Sequence, residues 1–160
     1  LWMRKYNKIM RDSTGAHFMR EAYELAVEAR KLDEVPVGAI VTRGNQIIGR
    51  GFNQTRTFGD PTAHAEIIAL RDAAKTIGNF RLVGADMFVT IEPCTMCAGA
   101  LVHARIRKLH FATLEPRSGA VISTARVLDN SSLNHHVMYQ HGLYAEQCAS
   151  LMRDFFSAKR

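Results

Sequence analysis

The chain has few cysteines and no long apolar segment. Three of its 160 residues are cysteines, too few for the disulfide framework that stabilises small secreted domains. We therefore expect a protein of the reducing cytoplasm. No stretch approaches the roughly 20 consecutive apolar residues of a membrane span, so no membrane partner is expected.

Internal repeats, low-complexity tracts and an interdomain linker are also lacking, which predicts a single domain. A chain of this length buries roughly two thirds of its unfolded surface on folding. We expect residues 1–16 to be an N-terminal extension, natural or added, and residues 17–160 to form one domain.

Acidic residues are fewer than basic ones, 15 against 21, and the sequence pI is about 9.5. A basic excess is expected of a protein that meets phosphates, although many basic proteins bind none. Many of the positive charges follow the motifs described below: Arg105, Arg107, Lys108, Arg117, Arg126, Arg153, Lys159 and Arg160. If they gather around one site they form a track for a nucleic-acid backbone; otherwise they form a solvated rim.

Hydrophobic periodicity predicts alternating helices and strands. The predicted helices cover residues 17–31, 64–77, 93–104 and 144–158, and the predicted strands cover residues 37–42, 47–52, 87–91, 108–112 and 137–139. Residues 113–134 show no clear pattern. This order predicts an α/β fold with parallel neighbours, helices on both faces of the sheet, and a ligand site at the carboxyl edge of the strands.

One histidine and two cysteines have the character of metal ligands. His64 is followed about thirty residues later by Cys94 and Cys97. An imidazole and two thiolates are good zinc ligands, and zinc held by three protein groups keeps a fourth position for water. We therefore predict one Zn²⁺ per chain, bound by His64, Cys94 and Cys97.

Both parts of the motif are predicted to begin helices. Pro93 suits the first helical position, because its missing N–H would have no partner there. The same helix start favours thiolate over thiol at Cys94 and Cys97. Thr62 is the predicted N-cap of the other helix, with His64 in the first turn.

Glu66 requires a role separate from that of His64. Residues two apart on a helix point about 200° apart, so both are not expected to bind one ion directly. The spacing of His-x-Glu and Pro-Cys-x-x-Cys resembles the signature of zinc nucleobase deaminases. This resemblance implies hydrolytic deamination with Glu66 as the catalytic proton carrier.

Alternatives exist for the cysteine pair alone. A Cys-x-x-Cys is also typical of a redox pair, or of half of a closed structural zinc site. A closed site requires a fourth ligand, for which Cys148 and His103 are the candidates. Cys148 belongs to an apolar stripe of the last helix, with Leu151, Met152, Phe155 and Phe156, so we expect it in the core.

A wider resemblance covers about residues 18–156. The segments that carry it are Glu34–Ala39, Gly51–Asn53, Asp60–Glu66, Thr90–Ala100 and Asp154–Phe156. They are similar to the bacterial tRNA-specific adenosine deaminases. The resemblance implies a three-layer α/β/α cytidine deaminase-like fold with a mixed central sheet, a homodimer, and conversion of the wobble adenosine of an arginine tRNA to inosine in the anticodon loop.

The same resemblance implies substrate contacts. Asn53 is expected to hydrogen-bond the target nucleotide, the Ala65 backbone to contact the base, and Val35 to line the pocket. Arg117 and Phe156 are expected near the flanking RNA. Core packing for Val35 and Phe156, and a place on the rim for Arg117, are the alternatives.

The chain departs from the family pattern in one loop. The family carries an aspartate followed two residues later by lysine, where this chain has Glu115-Pro116-Arg117. Three other functions stay open at this point. They are deamination of a free nucleobase or nucleoside, deamination of single-stranded DNA by an altered variant, and a non-catalytic zinc-containing RNA-binding subunit.

Overall fold

A computed structural model describes the backbone of residues 2–160 and the side chains of residues 14–160. Its elements are α1 (Trp2–Lys31), β1 (Gly38–Arg43), β2 (Gln46–Phe52), α2 (Thr55–Phe58), α3 (Ala65–Ile77), β3 (Ala85–Ile91), α4 (Thr95–His103), β4 (Lys108–Thr113), a 3-10 turn (Val127–Asp129), β5 (Met138–His141) and α5 (Ala145–Ser157). The predicted order of helices and strands is confirmed, and α2 is an element the sequence pattern missed.

The predicted extension, residues 1–16, falls on α1. Leu1 and the side chains of residues 2–13 lie outside the described residues, so its boundary stays a prediction. Among the described residues, no helix combines the length and the apolar character needed to cross a membrane.

The five strands form one mixed sheet in the order β2-β1-β3-β4-β5. β1 is antiparallel to both β2 and β3, whereas β3 and β4, and β4 and β5, are parallel. The two-residue connection Gly44-Asn45 permits only an antiparallel pair, and α4 returns the chain so that β4 can run parallel to β3. The predicted mixed sheet is confirmed.

Helices cover both faces of the sheet. On one face Phe18, Met19 and Ala22 of α1 share a buried cluster with Cys148 of α5 and with Phe88 of β3. On the other face, a larger cluster joins α3 and α4 to the strands, and its centre contains Ala69, Leu101, Met87, Leu109 and Phe111. The layers are therefore helix, sheet and helix, as predicted.

Gly51 brings the start of α3 close to the sheet. A Cβ at this residue would lie 2.4 Å from the carbonyl oxygen of Ala65 and 2.6 Å from the nitrogen of Ala69, closer than real side chains allow. Glycine therefore lets α3 pack directly on β2. This contact places the first turn of α3, and the side chains next to it, at the carboxyl edge of β3.

Candidate active site

His64 is the N-cap of α3. Its backbone is extended, and its carbonyl accepts the first helical hydrogen bond, from Ile68 N at 3.0 Å. The predicted N-cap, Thr62, is wrong, and so is a first-turn place for His64. The reason is local: Asp60 Oδ1 accepts from both the N–H and the hydroxyl of Thr62 at 2.8 Å. That turn holds the chain out of the helical conformation until His64.

Cys94 is likewise the N-cap of α4, which begins at Thr95. The prediction that Pro93 is the first helical residue is therefore wrong. Pro93 is buried before the cap, and its carbonyl accepts a hydrogen bond from Ala120 N at 2.8 Å. The predicted convergence of two helix N-termini is confirmed, with a ligand-type side chain at each cap.

Three ligand atoms meet between these helix starts. His64 Nδ1 lies 3.6 Å from Cys94 Sγ and 3.5 Å from Cys97 Sγ, and all three atoms lie within 4.8 Å of one another. Tetrahedral zinc with ordinary Zn–N and Zn–S bonds separates nitrogen and sulfur ligands by about 3.6 Å. The donor set and its spacing therefore fit a metal site.

The three side chains shift one another's pKa values. A hydrogen bond from Cys97 lowers the pKa of Cys94 to about 4, with a further contribution from His64. The hydrogen bond to Cys94 and burial raise the pKa of Cys97, and the contact with Cys94 raises the pKa of His64. One thiolate is thus favoured without a cation, and a metal ion would require both thiols to be deprotonated.

Glu66, the second residue of α3, lies beside this group. Glu66 is 3% exposed, and burial raises the pKa of its carboxyl. Within residues 14–160, the cluster of ligand-type groups comprises only His64, Cys94 and Cys97. Glu66 therefore brings a buried carboxyl with a raised pKa next to the three ligand-type groups.

A cavity of about 320 Å³ opens in front of these residues. It lies where β3 and β4 end, as predicted, and His64, Glu66 and Cys94 form part of its wall. Three predicted substrate-contact residues, Val35, Asn53 and Phe156, also line it. Phe156 is 45% exposed, so it faces the cavity mouth, whereas Cys148, Leu151 and Phe155 form the buried face of α5.

The other two predicted contacts are placed differently. Ala65 is fully buried at the start of α3, between His64 and Glu66. Arg117 is exposed and does not line the cavity, although Glu115 and Ser118 in the same loop do. Arg117 therefore lies at the rim.

Glu92 is a buried acid of this cavity for which the sequence predicted no role. It is 3% exposed, and its carboxylate accepts hydrogen bonds from the backbone N–H groups of residues 115, 121, 122 and 123 and from the Ser123 hydroxyl. Burial alone would raise the pKa of Glu92, but these hydrogen bonds hold it below its usual value. Glu92 therefore fixes the loop of residues 114–123 against the cavity.

Glu34 has a similar role at the opposite wall. It is fully buried and accepts from Thr57 N at 2.8 Å, from the Thr57 hydroxyl at 3.2 Å, and from Asn53 Nδ2 at 3.4 Å. A carboxylate only accepts, so the contact turns the amide nitrogen of Asn53 towards Glu34. In the sequence, Glu34 and Glu92 can each be recognised as an acid beside an apolar strand.

The two candidates for a fourth protein ligand lie elsewhere. Cys148 is 1% exposed and packs with α1 on the other face of the sheet, as predicted. His103 is in the last turn of α4, at the end away from Cys94. Neither belongs to the ligand cluster found among residues 14–160.

The basic residues do not all gather at this cavity. Arg105 and Arg107 line a different cavity, and Arg126 pairs with Asp129. The hypothesis of a single basic track is wrong for Arg105 and Arg107, and for Arg126 it stays a prediction. Arg105 and Arg107 precede the parallel strand β4, whereas the candidate metal ligands follow strands or their loops.

The known proteins that are similar to this chain are deaminases. The sequence profile of the MafB19-like deaminase family matches residues 14–160. A tRNA-specific adenosine deaminase of Haemophilus influenzae is 44% identical over 152 residues, which cover 94% of this chain and 88% of the relative. The tRNA-specific adenosine deaminase of Agrobacterium fabrum is 43% identical over 90% of this chain and 95% of its own length.

Solved structures agree with the fold. One structure, from studies of A-to-I editing by tRNA:A34 deaminases at the wobble position of transfer RNA, has a TM-score of 0.82 and 42% identity, covering 84% of this chain and 98% of its own. A guanine deaminase from Nitrosomonas europaea has a TM-score of 0.73 at 20% identity, covering 89% and 84%. The latter likeness shows the fold alone, and the predicted cytidine deaminase-like fold is confirmed.

Proposed function

This chain belongs to the family of tRNA-specific adenosine deaminases, and from this premise we propose that it converts the wobble adenosine of tRNA to inosine by zinc-dependent hydrolytic deamination. The observation that supports the proposal most strongly is the position of Glu66. A buried carboxyl lines the same cavity as two members of a three-ligand metal site. This combination fits hydrolysis better than it fits a structural zinc site.

His64, Cys94 and Cys97 would hold one zinc ion. Zinc held by these residues would supply the Lewis acidity that activates water for attack. Glu66 then accepts a proton from the attacking water and delivers it to the ring nitrogen next to C6. It transfers the second proton to the departing amino group, so that water and adenosine give inosine and ammonia.

The other cavity residues would bind and orient the nucleotide. We propose that Asn53, held by Glu34, hydrogen-bonds the target nucleotide, that the Ala65 backbone contacts the base, and that Val35 packs against it. Phe156 at the mouth and Arg117 on the rim would contact the flanking RNA. An anticodon loop is a suitable substrate because extruding an unpaired base costs less than unpairing one in a duplex.

The assembly and compartment belong to the same proposal. By family resemblance the chain would act as a homodimer, which analytical ultracentrifugation would detect directly. Its three cysteines are free, which suits the reducing cytoplasm where tRNA is processed.

The test is mass spectrometry of defined nucleic acids after incubation with the zinc-loaded protein. An anticodon stem-loop with adenosine at the wobble position should be converted, and the same hairpin with that adenosine paired in the stem should not. The two hairpins match in composition, so the comparison isolates access to the base. Equal efficiency on free adenosine would favour a small-molecule deaminase. Preference for a DNA hairpin of the same sequence would favour an altered deaminase that acts on single-stranded DNA.

A further inference from the structure

A second cavity lies at the opposite edge of the sheet. The segments that precede the three parallel strands, β3, β4 and β5, meet there around a volume of about 640 Å³, twice that of the candidate active site. Five of its lining residues are basic: Arg81, Arg105, Arg107, His135 and His136. We call this cavity the amino-edge groove.

The backbone of the amino-edge groove is held together by hydrogen bonds between its segments. Leu82 N donates to Ala104 O at 2.8 Å, and Arg107 N donates to Ala85 O at 2.8 Å. Met138 N donates to Arg107 O at 3.1 Å. These bonds connect all three segments, so the basic side chains project from a preorganised frame.

Arg105 occupies a backbone conformation that usually selects glycine. Its φ is +62°. Ile106 N donates to Leu101 O, and Arg105 N donates to Val102 O, both at 3.1 Å, which is the Schellman ending of a helix. A side chain in this left-handed region costs about 1 kcal/mol compared with glycine. The Arg105 side chain therefore projects into the groove from a fixed helix end.

Positive charge exceeds negative charge in the amino-edge groove. The acid next to it, Asp86, is shared between Arg107 and His110. Arg105 donates one N–H to Val102 O, of the five that a guanidinium carries, and the exposed Arg81 lies over the Phe80 ring at 5.4 Å. Arg107 donates to Asp86 through both Nε and Nη2, and the guanidinium groups of Arg81 and Arg105 are suited to phosphate oxygens.

We propose that the amino-edge groove binds the sugar-phosphate backbone of tRNA outside the anticodon arm. The identity of the RNA rests on the function proposed above, while the phosphate chemistry rests on the groove itself. A second copy of this chain that docked groove to groove is a poorer occupant, because the arginines of the two grooves would repel one another.

The distance between the two cavities bears on which part of an RNA would occupy the groove. They lie at opposite ends of β3, whose seven residues span roughly 23 Å. An RNA that places its anticodon loop in the candidate active site reaches the amino-edge groove only with a more distant part of the molecule. The groove should therefore distinguish full-length tRNA from an isolated stem-loop.

The test compares the double variant Arg81→Gln/Arg105→Gly with the control Arg20→Gln/Arg50→Gln. Both remove two positive charges, and Arg20 and Arg50 are exposed outside the groove. Dissociation constants are measured for full-length tRNA and for the stem-loop over a range of salt concentrations. The groove variant should bind full-length tRNA about tenfold more weakly, with a salt slope lower by about two, and should bind the stem-loop as wild type does.

Glycine at residue 105 relieves the backbone, so thermal unfolding of that variant should occur no earlier than in wild type. If the groove variant and the control lose the same affinity for full-length tRNA, the loss reflects the net charge of the protein, and the proposal is overturned. Unchanged tRNA binding by the groove variant would overturn the proposal as well. So would a change in the oligomeric state of that variant, measured by sedimentation, without a change in tRNA binding. Deamination of the stem-loop is a separate readout: its absence in wild type would refute the proposed function, whatever the groove binds.

Discussion

The two edges of one sheet have opposite chemistry. At the carboxyl edge, the buried carboxyls of Glu66 and Glu92 line a cavity of about 320 Å³, and the buried Glu34 contacts Asn53 in its wall. At the amino edge, arginines line a larger and more open cavity. Parallel strands generate both edges at once, because every loop that leaves a strand lies at one end and every loop that enters lies at the other.

The buried acids differ from one another in their partners. Glu92 accepts hydrogen bonds from four backbone N–H groups and one hydroxyl, and Glu34 holds Thr57 and Asn53. Glu66 is the acid whose pKa burial raises. At the same edge of the sheet, Glu34 and Glu92 therefore hold neighbouring groups in place, and Glu66 is the acid that we propose for proton transfer.

The largest expected effect at the carboxyl edge is on Glu66. We predict that Glu66→Gln lowers kcat on the anticodon stem-loop by at least about a thousandfold, because general acid and base transfers contribute factors of roughly 10² to 10⁴. Metal content should stay at that of wild type. Glu24→Gln, at an exposed residue of α1, serves as the charge-matched control, and near-normal turnover of Glu66→Gln would remove Glu66 from the mechanism.

The next effect concerns Glu92. We predict that Glu92→Gln raises KM about tenfold or more and lowers kcat by less. The amide nitrogen of the glutamine would face backbone N–H donors, so residues 114–123 would be released. Hydrogen exchange in that loop should accelerate while the metal is retained. Glu28→Gln is the control, since Glu28 is an exposed residue of α1 outside this loop. A larger effect of the control would contradict this role of Glu92.

The smallest effect belongs to the amino edge. Burial alone would raise the pKa of Asp86, but hydrogen bonds from His110 and Arg107 hold it below its usual value. The stabilisation from Asp86 is therefore present above its unfolded-state pKa and is lost as pH falls through the lower folded-state value. Asp86→Asn should lower the free energy of unfolding by about 1–2 kcal/mol at pH 7.

This deficit should disappear in acid, as denaturant titrations across pH would show. Asp129→Asn is the control, because the pKa of Asp129 is lowered mainly by its hydrogen bond with Tyr139 at an exposed position. Its effect should be smaller. A deficit of Asp86→Asn that is constant from pH 7 to pH 3 would show that charge pairing is not its cause.

Local patterns in the sequence were enough to predict the carboxyl edge. The metal ligands lie in two short motifs, and the alternation of strands and helices predicted that both motifs follow strands or their loops. The exact helix starts were not predictable in this way. Asp60 holds Thr62 in a turn, and Pro93 packs before the helix, so the caps moved to His64 and Cys94.

Long-range contacts explain what the sequence did not predict. Glu92 meets its partners 23 to 31 residues further along the chain, and Glu34 meets Asn53 after an intervening hairpin. The amino-edge groove joins residues 81, 105 and 135, which share no motif. Composition predicted the excess of positive charge, but only the fold shows that part of it faces away from the metal ligands.

The most direct measurement of the central claim is the metal content and coordination of the purified protein, by elemental analysis and zinc X-ray absorption. The account predicts one zinc per chain bound by two sulfurs, one nitrogen and one exchangeable oxygen. A metal-free chain that still deaminates the anticodon stem-loop, or a zinc closed by a fourth protein ligand, would contradict it.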